Sequence, residues 1–255
     1  MRMIVLQSGS NGNCVYVEGG GVRLLVDAGI SGLQADCRLA SHGLDIRQVD
    51  ALLVSHDHRD HIRSLGIFQR KFGIPAYVTE TTLAVAQEWV CLGRLGKVHF
   101  FKPGQVLHLG ELKVHTIPTP HDAVEGVAFV FDDGRNRLGV LTDLGHVFPE
   151  LRQLILSLDA VLLESNYDPQ MLQQGDYPEW LKQRIRGPRG HLSNQESARL
   201  LRSALGGRLR WACLGHLSEN NNSPAIALQT HQDLLQGDLP LCVASRYEVS
   251  EVFTI

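Results

Sequence analysis

No apolar run in this sequence approaches the roughly 20 residues that a membrane-spanning helix needs, so no segment is expected to cross a bilayer. The N-terminal Met1-Arg2-Met3-Ile4-Val5-Leu6 turns polar at Gln7, too short a stretch for a signal-peptide core. Cysteine is sparse: Cys14, Cys37, Cys91, Cys213 and Cys242 are scattered, odd in number and never spaced as Cys-x-x-Cys. Such a set argues against a disulfide framework and suits a reducing cytoplasm, where each thiol is expected to act as a small buried hydrophobe. A dominant charge is lacking too. The formal net charge of -3 over 255 residues gives no global basic field to draw the chain to nucleic acid or an anionic membrane, though a locally basic cleft is still allowed. Low-complexity tracts, Pro/Ser-rich linkers and fixed-period repeats are absent, which supports one domain over residues 1–255 rather than a repeat array.

What the chain does have is an ordinary apolar fraction of 44% with 20% charged residues, at a length able to bury a substantial core. Met3–Leu6, Cys14–Val17 and Val22–Val26, separated by Gly/Asn/Ser punctuation, read as a strand meander. Leu33–His42 reads as a helix, and Ala51–Val54 as a strand buried on both faces. Further helices are expected at Ile62–Phe72, Thr81–Val90, Val147–Leu156, Asn194–Ala204 and Pro224–Leu235, with Ser193 capping Asn194–Ala204 through a Ser-Asn-Gln-Glu box. Further strands are expected at Pro75–Thr79, Val98–Phe101, Leu112–Ile117, Val127–Phe131, Leu138–Leu141, Ala160–Glu164, Trp211–Leu214, Leu241–Ala244 and Glu248–Thr254. Strands and helices spread over both halves predict an α/β (α+β) fold in which two mixed β-sheets pack together with helices outside.

Histidine is the unusual count, at 12. Ser55-His56-Asp57-His58-Arg59-Asp60-His61 leaves the apolar strand directly. In an extended segment residues i, i+2 and i+4 project to one side, so His56, His58 and Asp60 are expected to face one space, with His61 at the start of the next helix. Imidazole and carboxylate together suit zinc, and also iron or manganese. Structural zinc sites typically use cysteine and close all four positions; a cysteine-free set points to open coordination positions and catalysis.

With this spacing the sequence resembles the metallo-β-lactamase superfamily, whose signature is His-x-His-x-Asp-His after an apolar strand. The resemblance extends over nearly the whole chain and implies that superfamily's αβ/βα four-layer sandwich. Asp27, in Leu25-Val26-Asp27-Ala28-Gly29, resembles the early aspartate that supports the metal loop without touching metal. His121 in Pro118-Thr119-Pro120-His121-Asp122, Asp143 in Leu141-Thr142-Asp143 and His216 in Leu214-Gly215-His216-Leu217-Ser218 match the remaining ligand positions. The resemblance implies two divalent metal ions, zinc ahead of manganese or iron. His56, His58 and His121 would hold one, and Asp60, His61 and His216 the other. Asp143 and a water or hydroxide would bridge them, the hydroxide being the nucleophile, oriented by Asp60 as a catalytic residue. His42, His99, His108, His115, His146 and His231 fall outside the pattern and are expected at surface or supporting positions.

Three further segments narrow the resemblance to the YycJ/WalJ-like branch: Ser8-Gly9-Ser10-Asn11-Gly12-Asn13, Glu164-Ser165-Asn166-Tyr167-Asp168, and the paired units His191-Leu192-Ser193-Asn194 and His216-Leu217-Ser218-Glu219-Asn220-Asn221. That branch is related to phosphodiesterases and nucleases such as ribonuclease Z. It implies phosphodiester hydrolysis, on DNA ahead of RNA or a small phosphodiester, as a 5′-to-3′ exonuclease linked to repair. His191 matches the histidine that hydrogen-bonds the scissile phosphate and protonates the leaving oxygen, a task suited to imidazole because it titrates near operating pH. Lys182, Arg184, Arg186 and Arg189 read either as a basic lip for a phosphate backbone or as a solvated helix face. Ser10, Asn11 and Asn13 offer donors to a phosphate or form only a turn, and Asn166, Asn221 and Arg189 are substrate-binding candidates of the same grade. The chain lacks the long insertion of the β-CASP nucleases and the flexible arm of ribonuclease Z. Two rival readings stay open: a hydrolase of a small ester, thioester or lactone on the same fold, and a non-catalytic nucleic-acid-binding or regulatory protein.

Overall fold

A computed structural model describes residues 1–255. The first half supplies strands β1 (Arg2–Gln7), β2 (Cys14–Gly19), β3 (Val22–Val26), β4 (Ala51–Leu53), β5 (Ala76–Val78) and β6 (Val98–Phe100), with helices α1 (Gly32–Ala40), α2 (Arg59–Ile62), α3 (Leu65–Phe72) and α4 (Glu80–Trp89) between them. The second half supplies β7 (Val106–Leu109), β8 (Leu112–Pro118), β9 (Val127–Asp132), β10 (Arg137–Leu141), β11 (Ala160–Glu164), β12 (Trp211–Gly215), β13 (Leu241–Val243) and β14 (Phe253–Thr254), with α5 (Pro149–Leu156), α6 (Pro169–Gln174), α7 (Glu179–Arg186), α8 (Asn194–Ser203) and α9 (Pro224–Leu235).

The strands form two seven-stranded sheets, ordered β14-β1-β2-β3-β4-β5-β6 and β13-β12-β11-β10-β9-β8-β7. Both follow one plan. Antiparallel hairpins (β1-β2-β3 and β7-β8-β9-β10) give way to parallel crossovers (β3-β4-β5-β6 and β10-β11-β12-β13).

Alternation along the strands builds the layers, because successive side chains point to opposite faces. On β1, Met3 and Val5 enter the core between the sheets while Ile4 and Leu6 meet the helices outside. On β9, Phe129 and Phe131 point inward, and Ala128 and Val130 meet the other helical layer. Strands apolar on both faces can be buried only between helices and a second sheet. The four-layer sandwich expected from the sequence is the result. Burying each large side chain of this kind contributes about 1.5–3 kcal/mol.

Some local readings change. The expected strand Glu248–Thr254 shrinks to Phe253–Thr254, because the backbone N–H groups of Tyr247 and Glu248 both donate to Ser245 Oγ (3.1 Å each) and set a turn instead. Strand β7 was not anticipated; it pairs with β8 around a Gly110-Glu111 turn. Cys14 and Cys213 are buried as expected, but Cys37 and Cys91 are exposed. His231 is fully buried between helices, its two ring nitrogens bonded to Ala227 O (2.8 Å) and Ser197 Oγ (3.1 Å).

Candidate active site

The chemistry-bearing residues collect where the parallel strands end, the edge at which open α/β sheets present ligands. Asp27 follows β3, His56 and His58 follow β4, Asp143 follows β10, Glu164 closes β11 and His216 follows β12. His121 comes from the loop after β8. The simple alternation expected for His56, His58 and Asp60 does not continue to its end. His58 is the N-cap of α2, with its carbonyl accepting from His61 N (2.9 Å) and Ile62 N (3.2 Å), so Asp60 and His61 arrive on a helical turn. Gly29 makes room for that turn: a Cβ there would lie 1.6 Å from Asp60 O.

Four sets of side chains converge. His56, His58 and His121 form one, Asp60, His61 and His216 a second, His56, His61 and Asp143 a third, and Asp143, Glu164, His191 and His216 a fourth, with candidate ligand atoms in each set within 4.8 Å of one another. Asp143 stands between the first two: its Oδ2 lies 3.4 Å from His61 Nε2, and its Oδ1 lies 3.6 Å from His121 Nε2 and 3.5 Å from His216 Nδ1. Both Asp143 oxygens, His56 Nε2 and His216 Nε2 are buried without a hydrogen-bond partner. Each such atom costs about 1–3 kcal/mol unless something coordinates it. Imidazoles and carboxylates aimed inward fit divalent metal ions.

The rings are held from behind, which is how metal-binding histidines are normally oriented. Asp27 accepts from Ser55 N (2.8 Å), Ser55 Oγ (2.9 Å) and His61 Nδ1 (2.7 Å), so His61 turns its Nε2 to the centre. His121 Nδ1 donates to Gly190 O at 2.8 Å, and His56 Nδ1 lies 2.9 Å from Ser55 Oγ. Asp27, Asp143 and His216 all sit in the left-handed region, at φ 65°, 57° and 55°. Non-glycine residues persist there only where the surroundings over-determine them.

Protons balance the charge of the cluster. Burial lowers the proton affinity of His56 and His121 below the ordinary histidine range. Burial opposes protonation of His61 and His216 as well, yet Asp143, Asp60 and Asp27 carry His61 well above that range. Asp143, Asp60 and Glu164 carry His216 to about 10. Asp60 and Asp143 are themselves held well below the usual carboxylate range, against burial, by these histidines. Metal ions would replace those protons.

His191 reaches the same centre from the loop before α8, whose Ser193–Glu196 capping box forms as the sequence predicts. Its Nδ1 donates to Glu164 Oε1 at 2.6 Å and lies 3.7 Å from Asp143 Oδ1. Glu164 is fully buried, and its other oxygen accepts from Leu144 N at 2.9 Å. Burial would raise the Glu164 carboxyl, but the charge and hydrogen bond of His191 bring it down to about 2. Sequence reading noticed the Glu164-Ser165-Asn166 segment without giving Glu164 a role; an acidic residue ending a buried apolar strand was the available signal. Asp122 is the second residue missed. Its carboxylate lies 3.4 Å from His121 Nε2 and 3.8 Å from His58 Nε2, and accepts from Arg184 Nε at 2.5 Å.

A cleft of about 240 Å³ opens over the centre, bounded by Ser10, Asp60, Asn166, His191 and His216 and by Tyr177, Leu181, Arg184 and Ile185 around α7. Of the substrate-binding candidates, Ser10 and Asn166 line it, Asn166 also donating to His216 O at 2.8 Å. Asn13 instead braces the metal turn, its Nδ2 lying 3.2 Å from Asp60 Oδ2 and 3.0 Å from His61 Nε2. Asn11 donates to Arg246 O (3.3 Å), Asn221 is buried behind Ser218 Oγ (3.3 Å from its N), and exposed Arg189 is outside the lining. The basic lip is largely spent on protein partners: Lys182 is buried on Gln173 O (2.8 Å), Arg184 pairs with Asp122 and Arg186 with Glu179. The paired His-Leu-Ser units both knit to the segment after β11. Asn166 N donates to Leu192 O (2.9 Å), and Ser218 N donates to Asn166 O (2.7 Å).

A four-layer sandwich with cysteine-free histidine and carboxylate clusters at the strand ends defines a metallo-hydrolase. Residues 22–211 match the family described as the beta-lactamase superfamily domain, and the chain belongs to that superfamily, in its metal-dependent form. It is 35% identical over 238 residues to exodeoxyribonuclease WalJ of Streptococcus pneumoniae, covering 92% of this chain and 88% of that one. Exodeoxyribonuclease YycJ of Bacillus anthracis is 33% identical over 236 residues, 92% of this chain and 89% of that one. In fold it is similar to the metallo-beta-lactamase fold protein YhfI from Bacillus subtilis, with a TM-score of 0.74, 18% identity and 98% of each chain covered. No helix is long and apolar enough to cross a membrane.

Proposed function

We propose that this chain, acting as one domain over residues 1–255, hydrolyses phosphodiester bonds as a 5′-to-3′ DNA exonuclease with two divalent metal ions, zinc ahead of manganese or iron. The names of its WalJ and YycJ relatives support the substrate class. The observation that carries the reading is the 2.6 Å pair of buried Glu164 with half-buried His191, set against Asp143, which stands between the ligand sets.

His56, His58 and His121 would hold one ion, Asp60, His61 and His216 the other, with Asp143 common to both. Ions held there supply Lewis acidity and lower the pKa of water towards roughly 7. Glu164 fixes His191 with Nδ1 as donor, which leaves Nε2 for the substrate. His191 in its protonated form hydrogen-bonds a phosphoryl oxygen and delivers its Nε2 proton to the departing alkoxide, the step a poor leaving group needs. Ser10 and Asn166 line the cleft as further donors to the phosphate. Asp60, braced by Asn13, keeps its carboxylate beside His61 and His216 (3.4 and 3.5 Å).

The test is a panel assayed on zinc-, manganese- and iron-loaded protein: end-labelled single-stranded DNA and RNA, bis(p-nitrophenyl) phosphate, and a glutathione thioester. Stepwise shortening of 3′-labelled DNA is expected, with a 5′ label released at the first cut, and with no thioester turnover. Thioester hydrolysis without phosphodiester hydrolysis would overturn the proposal in favour of the small-ester reading.

A further inference from the structure

A second cavity, about 430 Å³ and larger than the metal cleft, lies on the other side of Ser218, which lines both. Its walls include Leu217, Pro224 and Val243, and Tyr247, a residue 61% exposed. Tyr177 lines the metal cleft as Tyr247 lines this second cavity. The two rings are tethered by neighbouring residues of one loop, the segment that follows His216. Asn220 Nδ2 donates to Tyr177 Oη at 3.1 Å, and Tyr247 Oη donates to Glu219 Oε1 at 2.6 Å. Each ring is fixed by its hydroxyl, so its face is what it offers.

We infer that Tyr177 and Tyr247 are paired base-stacking platforms, one in each cavity, that receive successive nucleobases of a single-stranded polynucleotide lying across Ser218. The inference rests on the phosphodiesterase reading and deepens it by assigning the surfaces that hold the strand's bases. The charge pattern fits bases rather than phosphates in the second cavity. Arg246, the cation there, is paired with Glu219 at 2.8 Å and sets its guanidinium over one face of the Tyr247 ring, 5.9 Å from the centroid, so its charge is offset and the ring's other face is the one left for a base. A small diester needs only the metal cleft, whereas a strand continuing past the scissile phosphate meets the second cavity next. Stacking on aromatic side chains is indifferent to base identity, as processive degradation requires.

The experiment compares wild type, Tyr247→Ala, Tyr247→Phe, Tyr177→Ala and Tyr177→Phe. It measures kcat/KM on a single-stranded oligonucleotide and on bis(p-nitrophenyl) phosphate, with melting temperatures and fluorescence-anisotropy binding of a labelled oligonucleotide alongside. Tyr247→Ala is expected to lower the ratio of oligonucleotide to small-diester kcat/KM by roughly 5- to 150-fold, mainly through KM, and to weaken oligonucleotide binding by the same factor; Tyr177→Ala, whose ring borders the cleft that both substrates enter, is expected to weaken oligonucleotide binding by that factor. The phenylalanine variants keep the ring face and should stay near the wild-type ratio. An unchanged ratio and unchanged binding in Tyr247→Ala, in an enzyme that cleaves both substrates, overturns the stacking role alone. Phenylalanine variants as impaired as alanine variants overturn it too, since the hydroxyl tether would then be what matters. A wild type that cleaves neither substrate removes the phosphodiesterase reading and this inference with it.

Discussion

Replacing Glu164 with glutamine isolates the proton-delivery step, because it changes charge and almost no volume at a fully buried position. The carboxylate accepts from two donors at once, His191 Nδ1 at 2.6 Å and Leu144 N at 2.9 Å. A glutamine can place its oxygen towards only one of them. If it faces His191, the amide NH₂ confronts the Leu144 N–H; if it faces Leu144, the NH₂ confronts His191 Nδ1 and forces the opposite tautomer. Either way one charge-assisted hydrogen bond is lost, a contribution of about 1.5–3 kcal/mol. At about 1.36 kcal/mol per decade, kcat on an oligonucleotide should fall roughly 10- to 150-fold. The loss should depend on the leaving group: p-nitrophenolate leaves without a proton, so bis(p-nitrophenyl) phosphate should lose less than about threefold, well under the usual value of general-acid help. Metal content measured in parallel by mass spectrometry should be unchanged. Equal losses on both substrates with metals retained would refute the assignment of Glu164 and His191 to leaving-group protonation.

Three further outcomes are expected. His58→Ala should abolish activity and lower metal stoichiometry together, whereas His191→Ala should slow alkoxide release by roughly 10²- to 10⁴-fold with metals still bound; equal metal loss in both would show His191 to be a ligand. Asp27→Asn leaves one acceptor oxygen for three donors on Ser55 and His61, so metal affinity in a competitive-chelator titration should weaken about 10- to 100-fold, and an unaltered affinity would contradict its bracing role. Burial lowers His231 from 6.5 to about 4, so the folded chain binds fewer protons than the unfolded chain between those values. Its stability contribution is complete above the unfolded value and declines as pH falls towards the folded one, by about 3 kcal/mol in all. Denaturant unfolding of His231→Gln from pH 4 to 7 should therefore show a flatter profile than wild type, and parallel profiles would refute the cause assigned here.

The sequence was most legible where spacing and burial coincide. The apolar run before His56 fixed a strand end, and the Ser193–Glu196 box marked the start of α8 because both partners lie within one turn. Strands apolar on both faces announced two packed sheets before any pairing was known. What stayed hidden depends on groups far apart in the chain. Glu164 meets His191 across 27 residues, and Asp122 meets Arg184 across 62, so no local pattern announces either pair. The choice between a basic lip and a solvated helix face stayed open for the same reason: Lys182, Arg184 and Arg186 carry the right charge, but their partners Gln173, Asp122 and Glu179 lie elsewhere in the chain. The helical turn at Arg59–Ile62 hid behind a spacing that serves a strand equally well for its first two members.

The left-handed residues explain why the centre can be rigid before anything binds. A non-glycine residue at φ near 60° costs on the order of 1–3 kcal/mol, and three of them stand at the ends of β3, β10 and β12. Each is fixed by contacts that relaxation would break: Asp27 by Ser55 and His61, His216 by Ser8 Oγ on its N–H at 2.8 Å, and Asp143 by its place between His61 and His121. The core between the sheets holds the strands that deliver them, so folding free energy sustains the strain. A loop free to relax would let the carboxylates separate and recover water. Because these cannot, Asp60 and Asp143 stay beside the histidines that keep them ionised, and the free energy they recover on meeting cations is available for binding rather than spent on ordering the site.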